Sequence, residues 1–167
     1  MAVRPILKLG HPGLYEECRP VAPDEMGLAA RVAEDLFDTM AVFRASHGWG
    51  RAIAAPQIGE PIRVIAADVG GRKTLVNPTL SFPDDERITL WDDCMSFPEL
   101  LVEVERFRRC EVRYVNLETE PCVETLADDL SELIQHEVDH LDGILTVQRA
   151  LGDRSITLRS ERDPEGC

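Results

Sequence analysis

Near the C-terminal end of this 167-residue chain stand two histidines four positions apart, in the run His136-Glu137-Val138-Asp139-His140. Four helical residues advance by about 400°, so both imidazoles leave one face of a helix within reach of a single ion. Glu137 sits about 100° around the same helix. This HExxH spacing constrains the fold because two imidazoles do not complete a catalytic metal site, which takes three protein ligands and leaves a further position to water. The fold must bring a third donor to this helix from elsewhere.

The chain after His140 reads LDGILTVQRA, and the other histidines, His11 and His47, lie far upstream. A protease with a third histidine just downstream is therefore excluded. Glu161 stands where a downstream glutamate ligand would, but in a polar tail rather than on a helix. Upstream, Cys94 in Asp92-Asp93-Cys94-Met95-Ser96 offers a thiolate. A lone cysteine is more often a small core residue than a ligand, so the residues alone leave the third donor open.

The rest of the chain predicts an α+β domain. Leu28, Val32, Leu36, Met40 and Phe43 recur every three or four residues and predict a helix over 24–45, begun at Pro23-Asp24 and ended at His47-Gly48. From 50 to 122 the texture is β-rich, with runs at Ile62–Ala67, Thr74–Val76, Leu100–Val104 and Cys110–Val115. Gly70-Gly71, Asn77-Pro78 and Pro83-Asp84-Asp85 read as turns between them. A second helix is expected from Thr125 or Asp128, with TLAD as a capping box, to Leu141, where Asp142-Gly143 stops it. The expected organisation is one catalytic domain over 1–150, followed by a short strand or polar tail over 151–167.

Composition excludes several function classes. No apolar run approaches the roughly 20 residues of a membrane helix, and the start, MAVRPILKLGHPG, lacks a secretory signal, so a cytoplasmic setting is expected. Five scattered cysteines without a CxxC pair do not read as a disulfide framework. A net charge of -13 opposes nucleic acid binding, with Arg106, Arg108, Arg109 and Arg113 as the one candidate basic patch.

Three segments together resemble the peptide deformylases, whose blocks are GxGLAAPQ, EGCLS and HExDH. Here they stand as Gly50-Arg51-Ala52-Ile53-Ala54-Ala55-Pro56-Gln57, Asp92 to Ser96, and His136 to His140, in the same order and spacing. The resemblance extends from the opening RPILKLGHPGLYEECRPV to about Arg149. It implies the α+β deformylase fold, with mostly antiparallel sheets packed around a central HExxH helix. It makes Cys94 the third ligand beside His136 and His140, and Glu137 the general base. It assigns oxyanion stabilisation to the Gln57 amide and the Met95 backbone N–H. It implies one divalent ion per chain, Fe2+ natively, with Zn2+, Ni2+ or Co2+ able to replace it. The implied activity is removal of the formyl group from N-formylmethionyl peptides with release of formate, in a monomer or homodimer without nucleic acid or membrane partners.

The substrate side of the pattern departs from the family. Gly50, Ala52 and Ile53 belong to the segment that pairs with substrate, but Ala52 replaces a glycine and Arg51 precedes it. Asp93 replaces the glycine before Cys94. On the face of the metal helix that lines the side-chain pocket, Asp129 and Glu132 accompany Leu133 where the family is apolar. A polar, acidic pocket around Asp93, Asp129 and Glu132 would favour a cationic or hydrogen-bonding side group, whereas a small turn of the helix would leave Asp129 and Glu132 in solvent. An amidase acting on another N-formyl or N-acyl amine is the enzymatic alternative, and a non-catalytic metal-binding paralogue the other. Retention of Glu137 and Gln57 argues against the latter, since a structural metal site needs neither.

Overall fold

A computed structural model describes residues 2–162. The first long element, α1 (Met26–His47), buries Val32, Leu36, Met40 and Phe43 as the periodicity requires, with Leu28 partly covered. Each such side chain contributes about 1.5–3 kcal/mol when fully buried. Gly48 ends the helix in the left-handed conformation that glycine adopts without strain (φ 79°).

Eight strands follow: β1 (Ala52–Ala54), β2 (Val64–Asp68), β3 (Arg72–Ser81), β4 (Arg87–Asp93), β5 (Leu100–Phe107), β6 (Arg109–Val115), β7 (Pro121–Ala127) and β8 (Ile156–Leu158). They form two antiparallel sheets, ordered β1-β2-β3-β6-β7 and β4-β5-β8. Between them lies α2 (Asp128–Leu141), whose Ile134, Val138 and Leu141 pack on Ile65, Leu75 and Val112 of the larger sheet. The expected arrangement of sheets around the HExxH helix is the one observed, and β1, which leads to Gln57, is an edge strand.

Three local expectations need correction. Asn77-Pro78 is not a turn between strands but an irregularity inside β3, where the register on β6 shifts between Val76 and Thr79. Proline has no N–H for the ladder, and Asn77 (φ 52°) turns its amide to Val21, accepting from its N–H at 2.8 Å and donating to its carbonyl at 2.9 Å. TLAD is not a capping box: Thr125 belongs to β7, opposite Glu111, and α2 begins without a side-chain cap. Asp128 and Asp129 instead supply negative charge to the first turn, which suits the helix dipole. The basic patch dissolves into ion pairs, Arg108 with Glu86 and Asp128, Arg109 with Asp84 and Glu86, Arg113 with Glu111, while Arg106 is buried.

The stop after α2 is as expected. Gly143 has φ 71°, and a Cβ there would meet the Tyr15 carbonyl oxygen at 2.7 Å, so the N-terminal segment can lie against this turn only over glycine. Cys18 N–H then donates to the Leu141 carbonyl at 2.8 Å. The C-terminal segment supplies β8 and a short helix, α3 (Arg159–Arg162), while the rest of the expected tail, 163–167, lies outside the described residues. Among the described residues, no helix is long and apolar enough to cross a membrane.

Candidate metal centre and its cleft

The three blocks, far apart in sequence, meet at the end of β4. Cys94 follows that strand directly, His136 and His140 come from α2, and all three are buried. One donor atom from each lies within 4.8 Å of the others. Cys94 Sγ stands 3.2 Å from His140 Nε2, and the two imidazole rings are 4.9 Å apart at 71°. Ligand bonds of about 2.0 to 2.3 Å in a tetrahedron place donor atoms roughly 3.3 to 3.6 Å apart, so the cluster fits a cation with little rearrangement. Glu161 is not part of it.

The histidines are tuned differently. His136 Nδ1–H donates to the Asp92 carboxylate, with Oδ1 at 2.9 Å and Oδ2 at 3.0 Å, and Thr146 Oγ1 lies 3.0 Å from the same nitrogen. This fixes the ring and leaves Nε2 as the ligand atom, as carboxylate partners of metal-bound imidazoles do. Burial works against charge on His136, but Asp92 outweighs it and raises the pKa well above the ordinary histidine value. His140 has no such partner: burial first, then His136, holds it well below its ordinary value, so it is a neutral imidazole of the kind a metal ion binds. Its buried Nδ1 has no hydrogen-bond partner among the described residues.

Asp92 is the residue that the sequence reading named without giving it a task. Its carboxylate also receives Arg106 Nη2 at 3.0 Å, and Arg106 reaches Asp139 of α2 with Nη1. Arg149 closes the far side of Asp139, Nε to Oδ2 at 2.6 Å and Nη2 to Oδ1 at 2.5 Å. Burial pushes the Asp92 carboxyl up, but His136 and Arg106 more than offset this and hold it at about 2. An acidic residue two positions before a cysteine ligand was the available signal; nothing marked Thr146.

Glu137 is fully enclosed, with Oε2 unpartnered among the described residues. Burial, with Asp92 adding and His136 opposing, raises its carboxyl to about 7, which suits a group that must both take and return a proton near neutral pH. Gln57, on the 3-10 turn Ala55–Ile58 after β1, accepts the Ala54 N–H at 2.9 Å. Its Nε2 therefore points at Cys94 Sγ (3.6 Å) and Ser96 Oγ (3.2 Å). The Met95 N–H has no protein acceptor among the described residues, while the Met95 carbonyl takes Lys8 Nζ at 3.2 Å.

These groups open into a cleft of about 420 Å³, lined by Gly50, Arg51 and Ala52 on one bank, by Trp91, Asp92 and Asp93 on the other, and by Glu132 and Leu133 at one end. Gly50 has φ 117°, and a Cβ there would press on Phe43 and Met95 at 3.3 and 3.4 Å. Ile53 lies on β1, the edge strand expected to pair with substrate through its backbone. Successive residues of a strand point to opposite faces, and its side chain is wholly buried in the core rather than in the cleft. Asp129 follows the solvent-facing of the two readings of its helix face, being exposed and paired with Arg51 at 2.8 Å. Glu132 does enter the cleft; burial and the neighbouring Asp92 raise its carboxyl to about 8 against the pull of His136 and Arg106.

The Polypeptide deformylase family profile matches residues 3–155. The chain belongs to the peptide deformylase family. It is 40% identical over 154 residues to a peptide deformylase of Heliobacterium modesticaldum, covering 92% of this chain and 97% of that protein. The crystal structure of the Thermotoga maritima peptide deformylase is similar, with a TM-score of 0.81 at 33% identity, covering 91% of this chain and all of that one. So is a class I type b peptide deformylase of Acinetobacter baumannii with Met-Ala-Ser bound, with a TM-score of 0.81 at 29% identity over 89% and 99% of the two chains. Members of the family remove N-formyl groups from nascent peptides, and this chain is a hydrolase acting on formyl-peptide amide bonds. The deformylases are metalloenzymes, and the Cys94, His136 and His140 cluster is a candidate ligand set.

Proposed function

We propose that this deformylase hydrolyses the formamide of N-formylmethionyl peptides, with Cys94, His136 and His140 holding a ferrous ion and Glu137 acting as general base. The observation that carries this reading is the meeting of three buried donor atoms within 4.8 Å, in a cleft that Glu137 also lines. One thiolate and two imidazoles suit Fe2+, Zn2+, Ni2+ or Co2+. When bound, the ion supplies Lewis-acid polarisation and lowers the pKa of water.

The chain's own groups divide the rest of the work. Asp92 and Thr146 hold His136 with Nε2 facing the cluster. Glu137 takes the proton of the attacking water and returns it to the leaving amine, a double task that a carboxyl near 7 performs at neutral pH. Gln57 Nε2 and the Met95 N–H donate to the oxygen that gains charge when the formyl carbon becomes tetrahedral. The same reading places the protein in the cytoplasm, where a reducing environment keeps Cys94 out of disulfides and available to an ion, as a monomer or homodimer without nucleic acid or membrane partners.

Glu132 favours a second reading, in which the formylated residue carries a hydrogen-bonding side group. At neutral pH a carboxyl with a pKa of about 8 is largely protonated, so it offers the cleft a donor rather than a charge. A donor is compatible with the weakly accepting thioether of methionine and better matched to a stronger acceptor.

Formate release from formyl-Met-Ala-Ser by anaerobically prepared, iron-loaded protein tests both. Turnover is expected, with Glu137→Ala reducing it by about 10²- to 10⁴-fold while the metal stays bound. A loaded protein that ignores this peptide but turns over formylated amines with polar side groups would move the assignment to the second reading.

A further inference from the structure

The C-terminal arm lies against three residues that line the cleft, Trp49, Trp91 and Asp93. Strand β8 pairs antiparallel with Leu100, Leu101 and Val102 of β5, and the Arg159 N–H continues the attachment to the Glu99 carbonyl at 2.8 Å. The backbone of the arm is thus tied down where Arg159 leaves it.

From there the Arg159 guanidinium meets three groups. Its Nε donates to the Pro98 carbonyl at 3.2 Å, and its Nη2 donates to Asp93 Oδ2 at 2.7 Å. Its Cζ lies 4.6 Å from the centre of the Trp49 ring, which also meets Phe43 edge-on at 4.8 Å. Asp93 and Trp49 belong to opposite banks: Asp93 ends β4 beside Cys94, while Trp49 leads into Gly50 and β1. One side chain therefore spans the cleft. Three residues on, Arg162 Cζ lies 4.0 Å over the ring of Trp91, a third member of the lining.

We propose that the arm 156–162 is a wall of the substrate cleft and that Arg159 is the positioning residue that sets the width of its mouth. An exposed ion pair alone contributes little. This one is backed by a carbonyl and an aromatic face, and a planar guanidinium satisfies all of them from one position. Arg159 also cancels the charge of Asp93 beside the ligand cysteine, so a peptide entering here meets two arginine-backed indoles rather than an anion. The inference rests on the reading that the cleft receives a formylated peptide.

The chain's two tryptophans, Trp49 and Trp91, both line this cleft, so tryptophan emission reports on the wall without any need for turnover. The experiment compares full-length, metal-loaded wild type with Arg159→Ala and Arg159→Lys, reading emission, metal content, and KM and kcat for formyl-Met-Ala-Ser. Arg159→Ala is expected to shift the emission and raise KM about three- to tenfold, with kcat changed less than KM and metal content unchanged. Arg159→Lys, which keeps the charge but not the plane, should fall between. Unchanged emission and KM in Arg159→Ala would overturn the proposal, as would equal loss of kcat and metal, which would make the arm a prop for the metal centre instead. If the wild type releases no formate while Arg159→Ala still shifts the emission, the wall stands and the peptide reading falls.

Discussion

Asp92 and Asp93 are neighbours in the chain, yet they belong to two regions with different physics. Asp92 is 4% exposed and holds His136 and Arg106, both of them buried. Asp93 stands at the rim, where its ion pair with Arg159 has side chains 37% and 32% exposed respectively. Arg51, which also lines the cleft, repeats this exposed pattern with Asp129. Buried charges must be matched or they are costly, whereas exposed pairs are screened and nearly free to change. The deformylase can therefore vary its rim while its centre stays fixed, and the departures in sequence at Arg51, Asp93 and Asp129 all fall in the tolerant region.

Substitutions can break this contrast. The largest effect is expected from Asp92→Asn, which leaves Arg106 paired only with Asp139 and removes the carboxylate from His136. Stability measured by denaturant should fall by about 3 to 5 kcal/mol, and metal affinity in a competition titration by about 10- to 100-fold. A loss no greater than that of a surface variant would show that the network is not the unit described.

Glu132 lies between the regions and sharpens the boundary. Its folded pKa of about 8 exceeds the ordinary 4.5, so the folded state binds the proton more tightly than the unfolded chain. The associated stability is fully present below pH 4.5, declines as pH rises, and is lost above about pH 8. In metal-free protein, wild type should lose about 1 to 3 kcal/mol across that window relative to Glu132→Gln. A difference between the two that does not vary with pH would mean that Glu132 ionises freely in the cleft.

The smallest effect belongs to Arg51→Ala. Breaking its exposed pair with Asp129 should change stability by less than about 1 kcal/mol, and less again at high salt. A loss of several kcal/mol in thermal unfolding would erase the distinction between rim and centre.

What could be read from sequence follows the same line. The candidate ligands His136 and His140, with Glu137, are recognisable because metal chemistry demands particular residue types at particular helical spacings. The long periodic helix α1 is recognisable because one apolar face must be buried, whereas α2 takes the later of its two expected starts, Asp128 rather than Thr125. Residues that act through others leave weaker traces. Thr146 reaches His136 only after the chain turns back beyond Gly143, and Arg106, which looked like part of a basic surface, is buried by two carboxylates from separate elements. Ile53 went to the core and Asp129 to solvent because strand alternation and helix rotation are set by packing, which a motif does not specify.

Cys94 and His140 are 46 positions apart, one at the end of a strand in the smaller sheet and the other on the helix between the sheets. An ion shared by them is a cross-link closed late in assembly, since an unfolded chain would have to close a long loop before offering both donors. Metal retention through the proposed ligands would thus be a readout of completed folding, and anything that loosens the two sheets should release the ion before it unfolds the chain.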